Sequence, residues 1–100
     1  MGIPMLTRHL NGRTDDAADF LNVLGNSKRL SILQHLLRGE MPVNAMAEQV
    51  GLSQSALSQH LAKLRSHGLV ATRRDRQMIY YSCNSPAVRQ TIQTLSDIFV

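Results

Sequence analysis

Four glycines cap the length of every helix in the first two thirds of this chain. Gly25, Gly39, Gly51 and Gly68 each close a stretch in which apolar residues recur at helical spacing. Nothing before Leu69 can therefore be a long rod, and the chain must fold by stacking short helices. Thr14 is expected to cap the first, with Asp15 and Asp16 at the positive end of its dipole and Ala17, Phe20, Leu21 and Leu24 on its apolar face. Asn26 or Ser27 caps the second. Its stripe is Leu30, Leu33, Leu36 and Leu37, with Ile32 beside it, and Gly39 closes it in a left-handed conformation. Val43 to Val50 makes a short third helix. Ser53 caps the fourth, which is anchored by Leu57, Leu61 and Leu64.

Beyond Gly68 the pattern changes. Leu69 to Arg73 and Met78 to Cys83 are rich in Val, Thr, Ile and Tyr, and Arg74-Asp75-Arg76-Gln77 lies between them. This predicts a β-hairpin with a polar, basic tip. Either Ile79 and Tyr81 or Met78 and Tyr80 face the core, since both pairs are apolar enough. Ser85-Pro86 then opens a last helix with Val88, Ile92, Leu95 and Phe99 in its stripe and Ile98 beside it. The expected fold is mainly α with a small β-hairpin, in the order α-α-α-α-β-β-α. Residues 1–13 read as a loose arm and 14–100 as one domain.

At 100 residues with 43% hydrophobic and 18% charged side chains, the chain suits one small globular domain. Such a core is marginal alone, so a dimer interface would help. No run of about 18 apolar residues marks a membrane span, and the N-terminus lacks the apolar stretch of a signal peptide. The expected location is cytoplasmic. A single cysteine, Cys83, excludes an intramolecular disulfide and a Cys-rich zinc site. Four aromatic residues and no Trp leave little for stacking single-stranded bases.

The charge is concentrated. From Ser53 to Met78, Lys63, Arg65, Arg73, Arg74 and Arg76 face Asp75 alone, while the rest of the chain is balanced. The whole net charge of +4 lies in that stretch. No carboxylate occurs from Ser53 through Arg74, which a solvated helix face would normally carry and which phosphates would repel. A short helix, a Gly-Leu-Ser turn, a longer helix and a basic hairpin form a winged helix-turn-helix. Double-stranded DNA is the expected partner, because its major groove, about 12 Å wide, accepts one helix. Gln54, Ser55, Ser58 and Gln59 form the reading face, and Ser53 leaves the helix N-terminus open to a phosphate. Lys63 reaches the DNA backbone. Arg73, Arg74, Arg76 and Gln77 on the wing reach phosphates or the minor groove. His60 packs near this helix or touches a phosphate.

Val43 to Leu69, VNAMAEQVGLSQSALSQHLAKLRSHGL, resembles the helix-turn-helix of the ArsR family of repressors, and its flanks NSKRLSILQHLLRGEM and VATRRDRQMIYYSCNSPAV agree. Within the family the chain is most similar to the NolR/HlyU/BigR-like subgroup. The resemblance spans roughly Ala17 to Phe99. It implies a homodimer paired through the first and last helices, with Phe20, Leu21, Leu24, Val88, Ile92, Leu95 and Phe99 at the interface. It also points to where family metal sites would lie. Pro42 and Asn44 stand at the thiol positions of one, and the last helix offers Asp97 and no His for the other. No cofactor or metal is expected, and the inducer is left open. The two-cysteine redox pair of some relatives is absent, with Gln34 and Val100 nearest those positions. Cys83 then reads as a small buried residue, or alternatively as a redox switch. A third reading makes the basic face a protein-docking module. No catalytic constellation is present, so no enzyme is expected.

Overall fold

The computed structural model describes residues 10–100. The part of the expected arm that covers residues 1–9 lies outside them. The elements are α1 (Thr14–Leu24), α2 (Ser27–Arg38), β1 (Met41–Pro42), α3 (Val43–Val50), α4 (Gln54–Ser66), β2 (Ala71–Asp75), β3 (Met78–Ser82) and α5 (Pro86–Ile98). Thr14 is the first helical residue and not the cap. A turn through Asn11 and Gly12, both at positive φ, brings the chain into the helix one residue early. Arg13 takes the cap position with no side-chain cap bond, and its Nε binds Asp16 at 3.0 Å.

Asn26 is the cap of α2, accepting from the N–H groups of Lys28 and Arg29 at 3.0 Å. Ile32, Leu33 and Leu36 are its buried residues, while Leu30 and Leu37 stand at the edge of the core. The stripe is thus rotated toward Ile32. Gly39 is extended at φ 162 and not left-handed, because the chain runs straight on into a strand. Gly51 does adopt the left-handed region at φ 68, and it ends α3 with Leu52 N–H bonded back to the Ala47 carbonyl at 3.0 Å. Two basic side chains fasten helix ends from outside. Lys28 Nζ donates to the Val50 carbonyl at 2.9 Å, and Arg29 Nε donates to the Val23 carbonyl at 2.5 Å.

The sheet has three strands in the order β1-β3-β2, all antiparallel. Met41 pairs with Tyr81 and Pro42 with Tyr80, so β1 is a short edge strand on which proline is tolerated. The hairpin is tighter than its sequence suggests. Asp75 faces Met78, leaving Arg76 and Gln77 as the turn, and Arg74 and Asp75 belong to the strand. The tight turn forces Arg76 to φ 60.

One core unites the layers. Leu57, Leu61 and Leu64 of α4 are at most 1% exposed and pack with Ile32, Leu33 and Met46. Burial of this kind is worth roughly 1.5–3 kcal/mol per side chain. Tyr81 packs against the core, and Tyr80 lies on the opposite face of β3 beneath Arg73. The inward set is therefore the one containing Tyr81. Val88 is the only buried residue of α5. Among the residues expected at a dimer interface, Leu24 (3% exposed) and Val88 (0%) already lie in the protomer's own core. Those two are thus corrected to core residues, because α1 and α5 turn them onto α2. Phe20 and Ile92 pack partly against the core, Leu95 is half-buried, and Leu21 and Phe99 are exposed.

Candidate nucleic-acid interface

The α4 helix is held by its leucine face and opened by its cap. The Ser53 hydroxyl accepts from Ala56 N–H at 3.1 Å, and the first turn carries no acidic residue. Turning through about 100° per residue from the leucines brings Ser55, Gln59 and Lys63 outward, with Gln54 and Ser58 on the side facing the wing. All five are exposed. Amides and hydroxyls at this spacing can pair with base edges, while Lys63 carries charge for the backbone.

His60 is not on that outer face. It is half-buried, and its Nδ1 lies 3.4 Å from Arg29 Nη1, so the ring meets α2. The packing expected of it is seen, made against α2. Arg29, which sequence reasoning passed over, thus links the end of α1 to the recognition helix. Its contacts span residues six and 31 positions away, and no local pattern could disclose them.

The wing arginines separate. Arg73 donates from Nε to both carboxylate oxygens of Glu40, at 3.1 and 2.8 Å, and stacks 4.5 Å from the Tyr80 ring centroid. Its hydrogen bond and charge hold the Glu40 carboxyl below its ordinary range. Arg73, expected at the DNA, is thus also a brace that ties the wing to the segment before β1, with its side chain still 53% exposed. The reason is the carboxylate 33 residues earlier, which the fold brings back to it. Arg74, Arg76 and Gln77 remain exposed. Arg74 pairs with Ile79 in the ladder and so shares the strand face of Ile79 and Tyr81.

Between α4 and that face lies a cleft of about 410 Å³, lined in part by Asn44, Gln54, Ser58, Ile79 and Tyr81. Nothing in the sequence pointed Asn44 or Ile79 to this cleft, which exists only once β3 is paired with β1. Cys83 is buried in the core at 2% exposure. Among the described residues, no group of three or more His, Cys, Asp or Glu is placed to hold a metal ion. Nor is any described helix long and apolar enough to cross a membrane.

Comparison with known proteins agrees with this geometry. The helix-turn-helix family described as bacterial regulatory protein, arsR family, matches residues 26–72. The nodulation protein NolR of Rhizobium meliloti is 59% identical over 83 residues, covering 83% of this chain and 68% of its own. The transcriptional activator HlyU of Vibrio cholerae is 39% identical over 98 residues, covering 98% of this chain and 91% of its own. The crystal structure of NolR from Sinorhizobium fredii superposes with a TM-score of 0.85 at 47% identity, covering 99% of this chain and 96% of that one. A carboxylate-free helix face beside a basic wing, on this fold and among these relatives, makes the chain a member of the ArsR family of winged helix-turn-helix, DNA-binding transcription regulators.

Proposed function

We propose that the protein is a homodimeric repressor that occupies a pseudo-palindromic operator and needs no metal to do so. One observation carries the dimer. Leu21 on α1, Ile98 on α5 and Phe99 just beyond α5 are 59%, 63% and 80% exposed, while Val88 is the only buried residue of α5. A second copy related by a two-fold axis would cover the same patch on both protomers. It would also set two α4 helices about 34 Å apart, on successive turns of one DNA face. A dimer seated there would occlude the promoter beneath it, which is the simplest route to repression.

Redox control through Cys83 is the second reading, and the buried thiol does not favour it. Two measurements test the proposal together. Sedimentation velocity should find two protomers per operator duplex. Run-off transcription from the protein's own upstream region, with chelator present, should fall as protein is added. One protomer per site would contradict the dimer, and an unchanged or rising transcript would contradict repression.

A further inference from the structure

We propose that Arg29 sets the half-site spacing the protein reads, by fixing the reading helix α4 to the end of α1, one of the two pairing helices. This rests on the dimeric DNA-binding reading above. Lys28 and Arg29 stand in the first turn of α2, which carries no acidic residue. A helix N-terminus disfavours positive charge, so two adjacent cations there oppose the dipole of their own helix. Each is engaged elsewhere. Lys28 holds the last carbonyl of α3, and Arg29 serves α1 and α4 together.

The end of α1 accounts for only part of the guanidinium. Of the last four carbonyls of α1, Leu21 accepts from Gly25 N–H and Leu24 from Asn26 N–H, each at 2.8 Å. Val23 and Asn22 are left, and they accept from Arg29 Nε at 2.5 Å and Nη2 at 3.5 Å. Nη1 remains, and it lies 3.4 Å from Nδ1 of His60 on α4. Among the described residues, the hydrogen-bonded link from α1 to α4 runs through Arg29. The two helices do not close on each other at this point. A space of about 200 Å³ opens there, lined by Asp19 and Asn22 from α1, Lys63 from α4 and Arg29 itself.

In a two-fold dimer, the distance and angle between the two reading helices depend on how each α4 is set against its own pairing helices. Adding one base pair at the centre of an operator moves a half-site by about 3.4 Å and turns it by about 35°. A planar fork with donors on both helices resists that adjustment. Without the fork, the gap lets α4 tilt to follow the DNA.

The test uses the whole protein and its own upstream duplex, footprinted to find the site, with one base pair then added or removed at the centre of that site. Fluorescence anisotropy follows affinity. The parent should lose at least about tenfold on either change. Arg29→Lys should lose no more than about threefold, because an ammonium keeps a cation on the α1 carbonyls but cannot fork to α4. A merely structural arginine would lower melting temperature, and affinity for every spacing alike. The Lys variant should instead melt close to the parent and keep its dimer in sedimentation velocity. His60→Ala leaves the α1 carbonyls capped. It should relax the spacing in the same way, and it serves if Arg29→Lys does not fold. Parental discrimination in the folded variant, or loss of its dimer, would overturn the inference. So would a salt slope lowered by about 1 in Arg29→Ala, which would make the arginine a phosphate contact instead. A parent indifferent to spacing would remove the dimeric operator reading, and this inference with it.

Discussion

The α4 and α5 helices have the same length, 13 residues, and both begin with a serine whose hydroxyl accepts from a first-turn N–H. Their fates differ. Three leucines of α4 enter the core, whereas α5 buries Val88 alone and leaves Ile98 exposed, with Phe99 just beyond its end. Position in the stack explains the contrast. The α4 helix packs against both α2 and α3, while α5 leans on α2. A helix fixed by its own chain can offer a polar face to DNA without losing its seat. A helix with an uncovered apolar stripe is suited to a second copy. On this account, one molecule divides reading and pairing between two helices of like design.

The largest test of that division is in α4. Leu61→Ala should destabilise the protein by about 2–5 kcal/mol in urea denaturation, since a fully enclosed leucine leaves a cavity. Phe99→Asp, at an 80% exposed site, should leave the helical circular dichroism intact. It should instead weaken self-association by at least about 2 kcal/mol, roughly 30-fold, in sedimentation equilibrium. Equal loss of folding in both variants would break the comparison.

A smaller effect sharpens the contrast at the DNA face. Gln54→Ala should cost about 1–3 kcal/mol at one base position and leave other sequences untouched. Arg73→Ala should leave the salt slope unchanged, because its guanidinium is already engaged by Glu40. Competition with a panel of single-base operator variants and a salt series would show both. A slope lowered by Arg73→Ala would show that residue at the DNA as well.

The smallest effect follows acid. The carboxyl of Glu40 is held below its ordinary value near 4.5, chiefly by its hydrogen bond to Arg73. A group whose folded value is lowered adds stability in full above its unfolded value, and loses it as pH falls through the folded one. The brace is therefore intact at neutral pH and released in acid. Carboxyl chemical shifts of Glu40 should titrate below the ordinary range in the parent protein and return to it in Arg73→Gln. Both residues are well exposed, so melting temperature should move little.

Much of α4 was legible in the sequence because its signals are local. Gly51, Leu52 and Ser53 spell a left-handed stop, a turn and a cap in consecutive positions, and the leucine spacing fixes the inner face. The Pro86 start of α5 was legible for the same reason. What escaped was non-local. The β1 strand is two residues long, contains a proline and exists only through its pairing with β3. The Arg73–Glu40 brace and the Arg29–His60 contact join residues more than thirty positions apart. The identity of the wing's inner face depended on which side of β3 met the core, and alternation alone allowed both. The two-residue turn was hidden for a different reason. Its left-handed residue is Arg76, where glycine or asparagine would have announced it.

The most direct test of a reading helix beside a pairing helix is binding of the reduced, metal-free protein to its own upstream duplex and to a scrambled one. Fluorescence anisotropy at physiological salt would measure it. The account predicts a preference of about 10³-fold or more for the upstream duplex, in the range of specific DNA-binding proteins. Equal, weak binding to both would contradict it, because a basic surface without readout binds any duplex alike.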